Sequence, residues 1–141
     1  MRMIFVNLPV TDLDVTKAFW TSLGFGFNPQ FSDDKAACLV VEENIFVMLL
    51  TRDRFADFVT GEVADPNTAT SVLNCLTVQT RAEVDETVAK AIAAGGKPWQ
   101  PVMEQGPMYG GSFQDPDGHV WEVVWMDPAA LAGDGAGSAA Q

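Results

Sequence analysis

The side chains that suit acid–base chemistry are few. Glu122 stands in an apolar strand pattern, where desolvation raises the pKa of a carboxyl group and suits it to act as a general base or to hold a cationic group. Tyr109 stands among three glycines, which allow a backbone to approach a ligand closely, and its hydroxyl is a weaker candidate acid. Two plainer interpretations stay open: Glu122 is hydrated or hydrogen-bonded without a role, and Tyr109 is an exposed turn residue.

The remaining reactive side chains do not form a recognisable catalytic motif. Cys38 and Cys75, the two cysteines, lie in apolar strand patterns without metal or redox spacing, which favours core packing. His119, the one histidine, follows a turn, and strand alternation puts it on the face opposite Glu122, which predicts a solvated or turn-packing residue. A dinucleotide fingerprint, a phosphate-binding loop and a nucleophile elbow are absent from the sequence.

The elements that must position these residues occur twice. In each half a strand leads into an apolar-faced helix, and Thr11 and Thr80 are the predicted caps of these helices. Each helix ends at glycine, and further strands follow around tight turns; the strands predicted at 25–31 and 97–103 contain prolines, which confine them to an edge or a bulge. The order βαβββ, βαβββ predicts an α+β fold of two tandem modules, whose eight strands form curved mixed sheets around a cleft. The predicted organisation is a first module at 1–59, a linker at 60–70, a second module at 71–127 and a disordered Ala/Gly/Ser-rich tail at 128–141.

Composition excludes several classes of partner. Eight basic residues against nineteen acidic ones, a net charge of −11, do not supply the clustered cations that bind nucleic acid. Apolar runs are too short for a membrane span, and the N-terminus enters a strand pattern directly instead of a signal-peptide core. We therefore expect a cytoplasmic protein without a nucleic-acid or membrane partner.

Several motifs together resemble a known superfamily. They are Leu8-Pro9-Val10-Thr11-Asp12-Leu13, Ala18-Phe19-Trp20, Leu23-Gly24-Phe25 and the run from Phe113 to Glu122 that contains Asp115-Pro116-Asp117-Gly118-His119. The pattern covers residues 3 to 127 and resembles the vicinal oxygen chelate superfamily, which includes glyoxalase I, bleomycin resistance proteins and extradiol dioxygenases. More narrowly, Asn7–Val10, Val47–Thr51 and Gly118–Glu122 are similar to bacterial proteins labelled predicted lactoylglutathione lyases.

The resemblance also implies where a metal would bind. Metal-dependent members of the superfamily take ligands from the first and last strands of each module, and these positions correspond to Phe5, Met48, Leu73 and Glu122. Only Glu122 can bind a hard divalent ion, whereas catalytic zinc takes about three protein ligands. We therefore expect no metal and no other cofactor. The alternative is a metal-dependent lyase or dioxygenase of the glyoxalase I type that uses Glu122.

The side chains predicted at and beside these positions form a mostly apolar concave surface with a few polar groups, which is typical of a small-molecule pocket. The predicted ligand-binding residues are Phe5, Asn7, Met48, Leu73, Cys75 and Glu122. The expected ligand is a small apolar or aromatic molecule, and the sequence leaves open whether it is transformed; a structural or regulatory dimer without a ligand is a third possibility. The resemblance implies a homodimer, and Trp20 and Trp99 are candidates for its interface.

Overall fold

The structure, a computed structural model, describes residues 1–133 and has the predicted α+β fold of two tandem βαβββ modules. The first module consists of β1 (Ile4–Val10), α1 (Leu13–Ser22), β2 (Gly26–Phe27), a 3-10 turn (Pro29–Phe31), β3 (Ala36–Glu42), β4 (Ile45–Thr51) and α2 (Arg52–Ala56). The second consists of β5 (Leu73–Thr77), α3 (Arg81–Ala93), β6 (Lys97–Pro98), β7 (Met103–Gln105), β8 (Met108–Gln114), β9 (Val120–Met126) and α4 (Pro128–Gly133).

Each module forms one mixed sheet. The first sheet has the order β1-β4-β3-β2, with β1 parallel to β4 and the other pairs antiparallel. The second has the corresponding order β5-β9-β8-β6, and β7 adds a fifth strand by pairing with β8. The predicted eight strands therefore occur as one four-stranded and one five-stranded sheet.

The helix caps follow from the local sequence. Thr80 caps α3 as predicted, because its hydroxyl accepts a hydrogen bond from the Glu83 backbone N–H at 3.1 Å. In α1 the cap is Asp12 and not the predicted Thr11, since the Asp12 carboxylate accepts from two backbone N–H groups in the first turn. Both helices are followed by a glycine at positive φ, as helix-stopping glycines typically are.

Three segments differ from the sequence-based expectation. The strand expected at 25–31 shrinks to β2, because Pro29 begins a 3-10 turn that the Asn28 side chain caps. The strand expected at 97–103 splits into β6 and β7, and the backbone between them is held at Gln100, whose N–H donates to the Ser112 hydroxyl at 3.0 Å. Residues 128–133, expected to be disordered, form α4; residues 134–141 lie outside the described part of the chain.

One hydrophobic core is shared by both modules. Trp20 of α1 is fully buried at its centre and meets Trp121 of β9 with ring centroids 4.6 Å apart. The ring centroids of Phe19 and of Phe113 in β8 lie 6.0 Å apart. Trp20 is therefore a core residue and not an interface residue, which corrects the expectation from sequence, and Trp121 also packs in the core.

The shared core determines which face of each sheet is buried and which face is on the outside. Val47, Leu49, Trp121 and Val123 face the core, and side chains alternate along a strand, so Glu122 and the residues between the core positions of β4 face outward. The residues expected to line one cleft are therefore divided between two outer faces of the chain, one on each sheet.

The turn between β8 and β9 fixes the modules to each other. The His119 ring donates from Nε2 to the Pro9 carbonyl oxygen of β1, 2.6 Å away, and the Thr11 N–H donates to the Asp117 carboxylate at 2.8 Å. His119 is thus a buried, turn-packing residue. Within residues 1–133 no helix is long and apolar enough to cross a membrane.

Candidate functional site

A cavity of about 180 Å³ opens on the outer face of the second sheet, and Glu122 is part of its wall. The parallel pairing of β5 and β9 puts Cys75 beside Glu122, and the antiparallel pairing of β8 and β9 puts Ser112 on its other side. The remaining wall is largely apolar and comes from β8, β9 and the segment that leads into β7. The cavity is lined by Cys75, Gln100, Pro101, Met103, Gln105, Met108, Gly110, Gly111, Ser112, Glu122 and Val124.

Glu122 is the one ionisable carboxyl group of this wall. It is half-buried, and the ion pairs found within residues 1–133 involve Asp53, Asp57 and Glu104 instead. The neighbouring Cys75, expected from the sequence to pack in the core, is instead exposed on edge strand β5. The pKa of its thiol is raised, first by partial desolvation and then by the negative charge of Glu122. Glu122 therefore borders the cavity, and the ion pairs within residues 1–133 do not include it.

Tyr109 does not share this cavity. It lies opposite Trp125 on the face that turns towards α3, and its hydroxyl donates to the Asp85 carboxylate at 2.8 Å. That hydrogen bond is the main reason why the Tyr109 pKa is raised. The guanidinium of Arg81 stacks over the Tyr109 ring at 4.2 Å and pairs with Glu104 of β7 at 2.7 Å. The role of Tyr109 is to fasten the β7–β8 hairpin to α3, away from Glu122.

The β7–β8 hairpin brings into the cavity wall two residues that the sequence analysis did not predict there. Met103 and Met108 enter the cavity wall because β7 pairs with the start of β8 in a tight hairpin with Gly106 at positive φ. Two prolines in the preceding segment had indicated a single interrupted edge strand. Gly106-Pro107 was visible as a turn signal, but the pairing that it closes depends on the register with β8.

The outer face of the first sheet carries an aromatic surface, which we call the aromatic face: Phe5, Phe31 and Phe46. The rings of Phe5 and Phe46 are stacked at 4.7 Å, and Phe31 meets Phe5 edge-on at 6.2 Å. Asn7 and Met48 are neighbours in the β1–β4 register beside this face, and the Asn7 amide donates to the Phe5 carbonyl oxygen at 3.2 Å. Phe5 remains 37% exposed, so the rings can contact a ligand or another chain.

The structure thus brings the predicted site residues together in two groups. Cys75 and Glu122 form one, on the second sheet; Phe5, Asn7 and Met48 form the other, on the first. Leu73 points to the same side as Cys75 but lies beyond the cavity wall and is 54% exposed on edge strand β5. The two groups face away from the common core and do not meet within one chain.

The donor atoms present do not fit a catalytic metal. Cys75 and Glu122 are the donors of this kind in the cavity wall, and within the described residues no three His, Cys, Asp or Glu side chains come together in a metal-binding cluster. Even the addition of Met48 from the other face supplies only a soft thioether, whereas catalytic zinc takes about three nitrogen, sulfur or oxygen ligands.

A second cavity, of about 190 Å³, lies where the modules join, between β1, α2, the linker and the turn before β9. Pro9 and His119 are part of its wall and are already bonded to each other. Nearby Asp115 is buried and accepts hydrogen bonds from the indole N–H of Trp121 and the backbone N–H of His119, both at 3.0 Å; burial raises its pKa. Because these polar groups form hydrogen bonds with one another, we interpret this region as a structural connection between the modules and not as a binding site.

Known proteins share this architecture over nearly the whole chain. A hypothetical protein from S. aureus is 27% identical, with a TM-score of 0.77, and the match covers 89% of this chain and 94% of that one. A glyoxalase/bleomycin resistance protein/dioxygenase family enzyme from Burkholderia phytofirmans PsJN is 20% identical, with a TM-score of 0.75 over 89% of this chain and 99% of its own.

A bleomycin resistance determinant encoded on the transposon Tn5 is 21% identical, with a TM-score of 0.62 over 90% of this chain and 99% of its own. No curated protein matches the sequence. The family model described as Glyoxalase/Bleomycin resistance protein/Dioxygenase superfamily matches residues 2–123. With its tandem modules and this match, the chain belongs to the glyoxalase/bleomycin resistance protein/dioxygenase superfamily.

Proposed function

We propose that the chain is a metal-free member of its superfamily that binds a small apolar or aromatic molecule, in a cleft formed by two copies of the chain. The observation that carries the proposal is the composition of the Glu122 cavity, which is mostly apolar and supplies too few donors for an ion. Clefts that hold small molecules are mostly apolar, with a few polar groups that orient the ligand.

The separation of the two groups of site residues supports a homodimer. A two-fold axis that puts the aromatic face of one copy over the Glu122 cavity of the other creates two identical clefts, and closed two-fold dimers are the commonest oligomers. The surfaces that would be covered are apolar and exposed: Phe5 is 37% exposed and Leu73 54%. Exposed apolar patches of this kind typically mark interaction sites.

The Tn5 relative is a bleomycin resistance determinant, and our proposal likewise assigns an organic compound to this chain. The proposal does not require a reaction. A metal-independent reaction in this cavity would use Glu122 as the base, since Tyr109 is engaged with Asp85 on the other side of β8.

Metal analysis tests the central claim. The full chain is purified without chelator, and Ni, Zn, Fe and Mn are measured by mass spectrometry; we expect far less than one ion per subunit. One tightly held ion per subunit would overturn the proposal in favour of a metal-dependent lyase or dioxygenase. In that case hemithioacetals or catechols would be turned over with the metal, and Glu122→Gln would lose the activity while retaining the ligand.

Ligand binding is tested by a thermal-shift screen of small apolar and aromatic compounds, because a ligand that binds only the folded state raises the apparent stability. Light scattering on the same preparation tests the dimer, and a monomer would remove the shared cleft. A cavity that accepts no compound would favour a purely structural or regulatory dimer. A cytoplasmic location belongs to this proposal and is checked by cell fractionation.

A further inference from the structure

We infer that the Glu122 cavity selects organic cations, so that its ligand carries an ammonium group on an apolar or aromatic body. This inference rests on the proposed function and deepens it, since it gives the charge of the small molecule. A cavity of about 180 Å³ suits such a body, because an apolar cavity of roughly 150 Å³ accommodates benzene.

The charge of the cavity wall points to a cation. Glu122 contributes a carboxylate, and among the residues that the structure describes no lysine, arginine or histidine lines this cavity. Arg81, on the neighbouring α3, is engaged with Glu104 at 2.7 Å. A carboxylate beside apolar groups is stabilised by an opposite charge and destabilised by a second negative one, so a cation is favoured and an anion is opposed.

The charge of the whole chain acts in the same direction. A net charge of −11 attracts cations towards the protein and repels anions. A ligand with a carboxylate or a phosphate would therefore approach against the overall field and would then meet Glu122.

The remainder of the cavity wall indicates that the cation is organic. Met103, Met108 and Val124 supply apolar and polarisable surface, which an apolar ligand body would cover. A bare metal ion would lack ligands, since the wall holds one carboxylate and three neutral side-chain groups with oxygen, those of Gln100, Gln105 and Ser112, whereas Ca²⁺ takes 6–8 oxygen ligands. An ammonium group needs only the carboxylate and a few hydrogen-bond acceptors.

The aromatic face adds a second source of attraction in the proposed dimer. The stacked rings of Phe5 and Phe46 in one copy would lie over the Glu122 cavity of the other, and the faces of aromatic rings attract cations. A ligand with an aromatic body and an amine would then contact rings on one side and a carboxylate on the other.

The test compares three probes of nearly equal size with different charge: phenethylamine, phenethyl alcohol and hydrocinnamate. Each is titrated into the full chain at neutral pH and followed by NMR. We expect the amine to bind about fivefold more tightly than the alcohol, the effect of one partly exposed ion pair. We expect hydrocinnamate to bind more weakly than the alcohol, and the preference for the amine to shrink at high salt.

Two variants assign the effect to one carboxylate. Glu122→Gln keeps the size of the side chain and should remove most of the preference for the amine, leaving only what the net charge and the aromatic face contribute. Glu86→Gln changes the net charge by the same amount on the exposed surface of α3 and should retain the preference. Amine and alcohol binding equally in the unchanged chain would overturn the inference, as would a preference that Glu122→Gln leaves undiminished.

An amine that does not bind also overturns the inference. The proposed function is then decided separately, by metal content, light scattering and the thermal-shift screen. If the alcohol binds while the charge preference is absent, a small-molecule function stands and only the cationic ligand is lost.

Discussion

Two touching tryptophans of the core should respond very differently to the same substitution. Trp20 and Trp121 are both fully buried, with ring centroids 4.6 Å apart, so Trp→Phe removes the same volume from the same region. The Trp121 indole N–H donates to the buried Asp115 carboxylate at 3.0 Å. The Trp20 indole N–H has no acceptor within the described residues.

The magnitude follows from that difference. Trp121→Phe removes a hydrogen bond to a charged group, which costs about 1.5–3 kcal/mol in addition to the lost packing. Trp20→Phe removes a buried donor that has no partner, and eliminating such a group recovers about 1–3 kcal/mol. The packing loss cancels in the comparison, so Trp121→Phe should lower the free energy of unfolding by about 2.5–6 kcal/mol more than Trp20→Phe does.

The assay is urea unfolding followed by far-ultraviolet circular dichroism, at one protein concentration because a dimer is expected. Trp99→Phe, at a residue 37% exposed, is the matched control and should change the free energy by less than about 0.5 kcal/mol. The reasoning would be refuted if the two core variants lowered the free energy of unfolding by amounts within about 1 kcal/mol of each other, or if Trp20→Phe lowered it more. Neither result fits a hydrogen bond that Trp121 makes and Trp20 lacks.

Three further predictions concern single groups. Gly96→Ala would put a Cβ 2.6 Å from a backbone carbonyl oxygen, so we expect a loss of about 2–3 kcal/mol in urea unfolding. Gly26→Ala, with nothing within 4 Å of its Cβ, is the control, and equal losses would contradict this. Thr80→Ala removes the cap of α3 and should cost about 1 kcal/mol; no loss would show that the observed hydrogen bond does not stabilise the helix. The pKa of Cys75 is raised partly by Glu122, so the pH midpoint of its reaction with a disulfide reagent should lie above that of an ordinary thiol and fall in Glu122→Gln, because removing a negative charge favours the thiolate. An unchanged midpoint would place Glu122 away from the thiol.

Much of the fold could be predicted from local signals. The capping residue Thr80, the glycines that follow the two helices and the period-2 alternation of β4 and β9 are encoded within a few residues, so the modules and the placement of Glu122 on the strand face opposite Trp121 were predictable. Irregular backbone was less predictable, because β7 exists only through its pairing with β8.

The positions of the site residues relative to one another depended on packing between the modules. The sequence determined that Phe5 and Met48 share one face and that Cys75 and Glu122 share another. Only the tertiary structure decided that Trp20 lies between the modules, which turns the two faces outward instead of towards each other. The physical reason is that alternation fixes the side of a strand on which a residue lies, whereas long-range burial of large aromatic rings decides which sides meet.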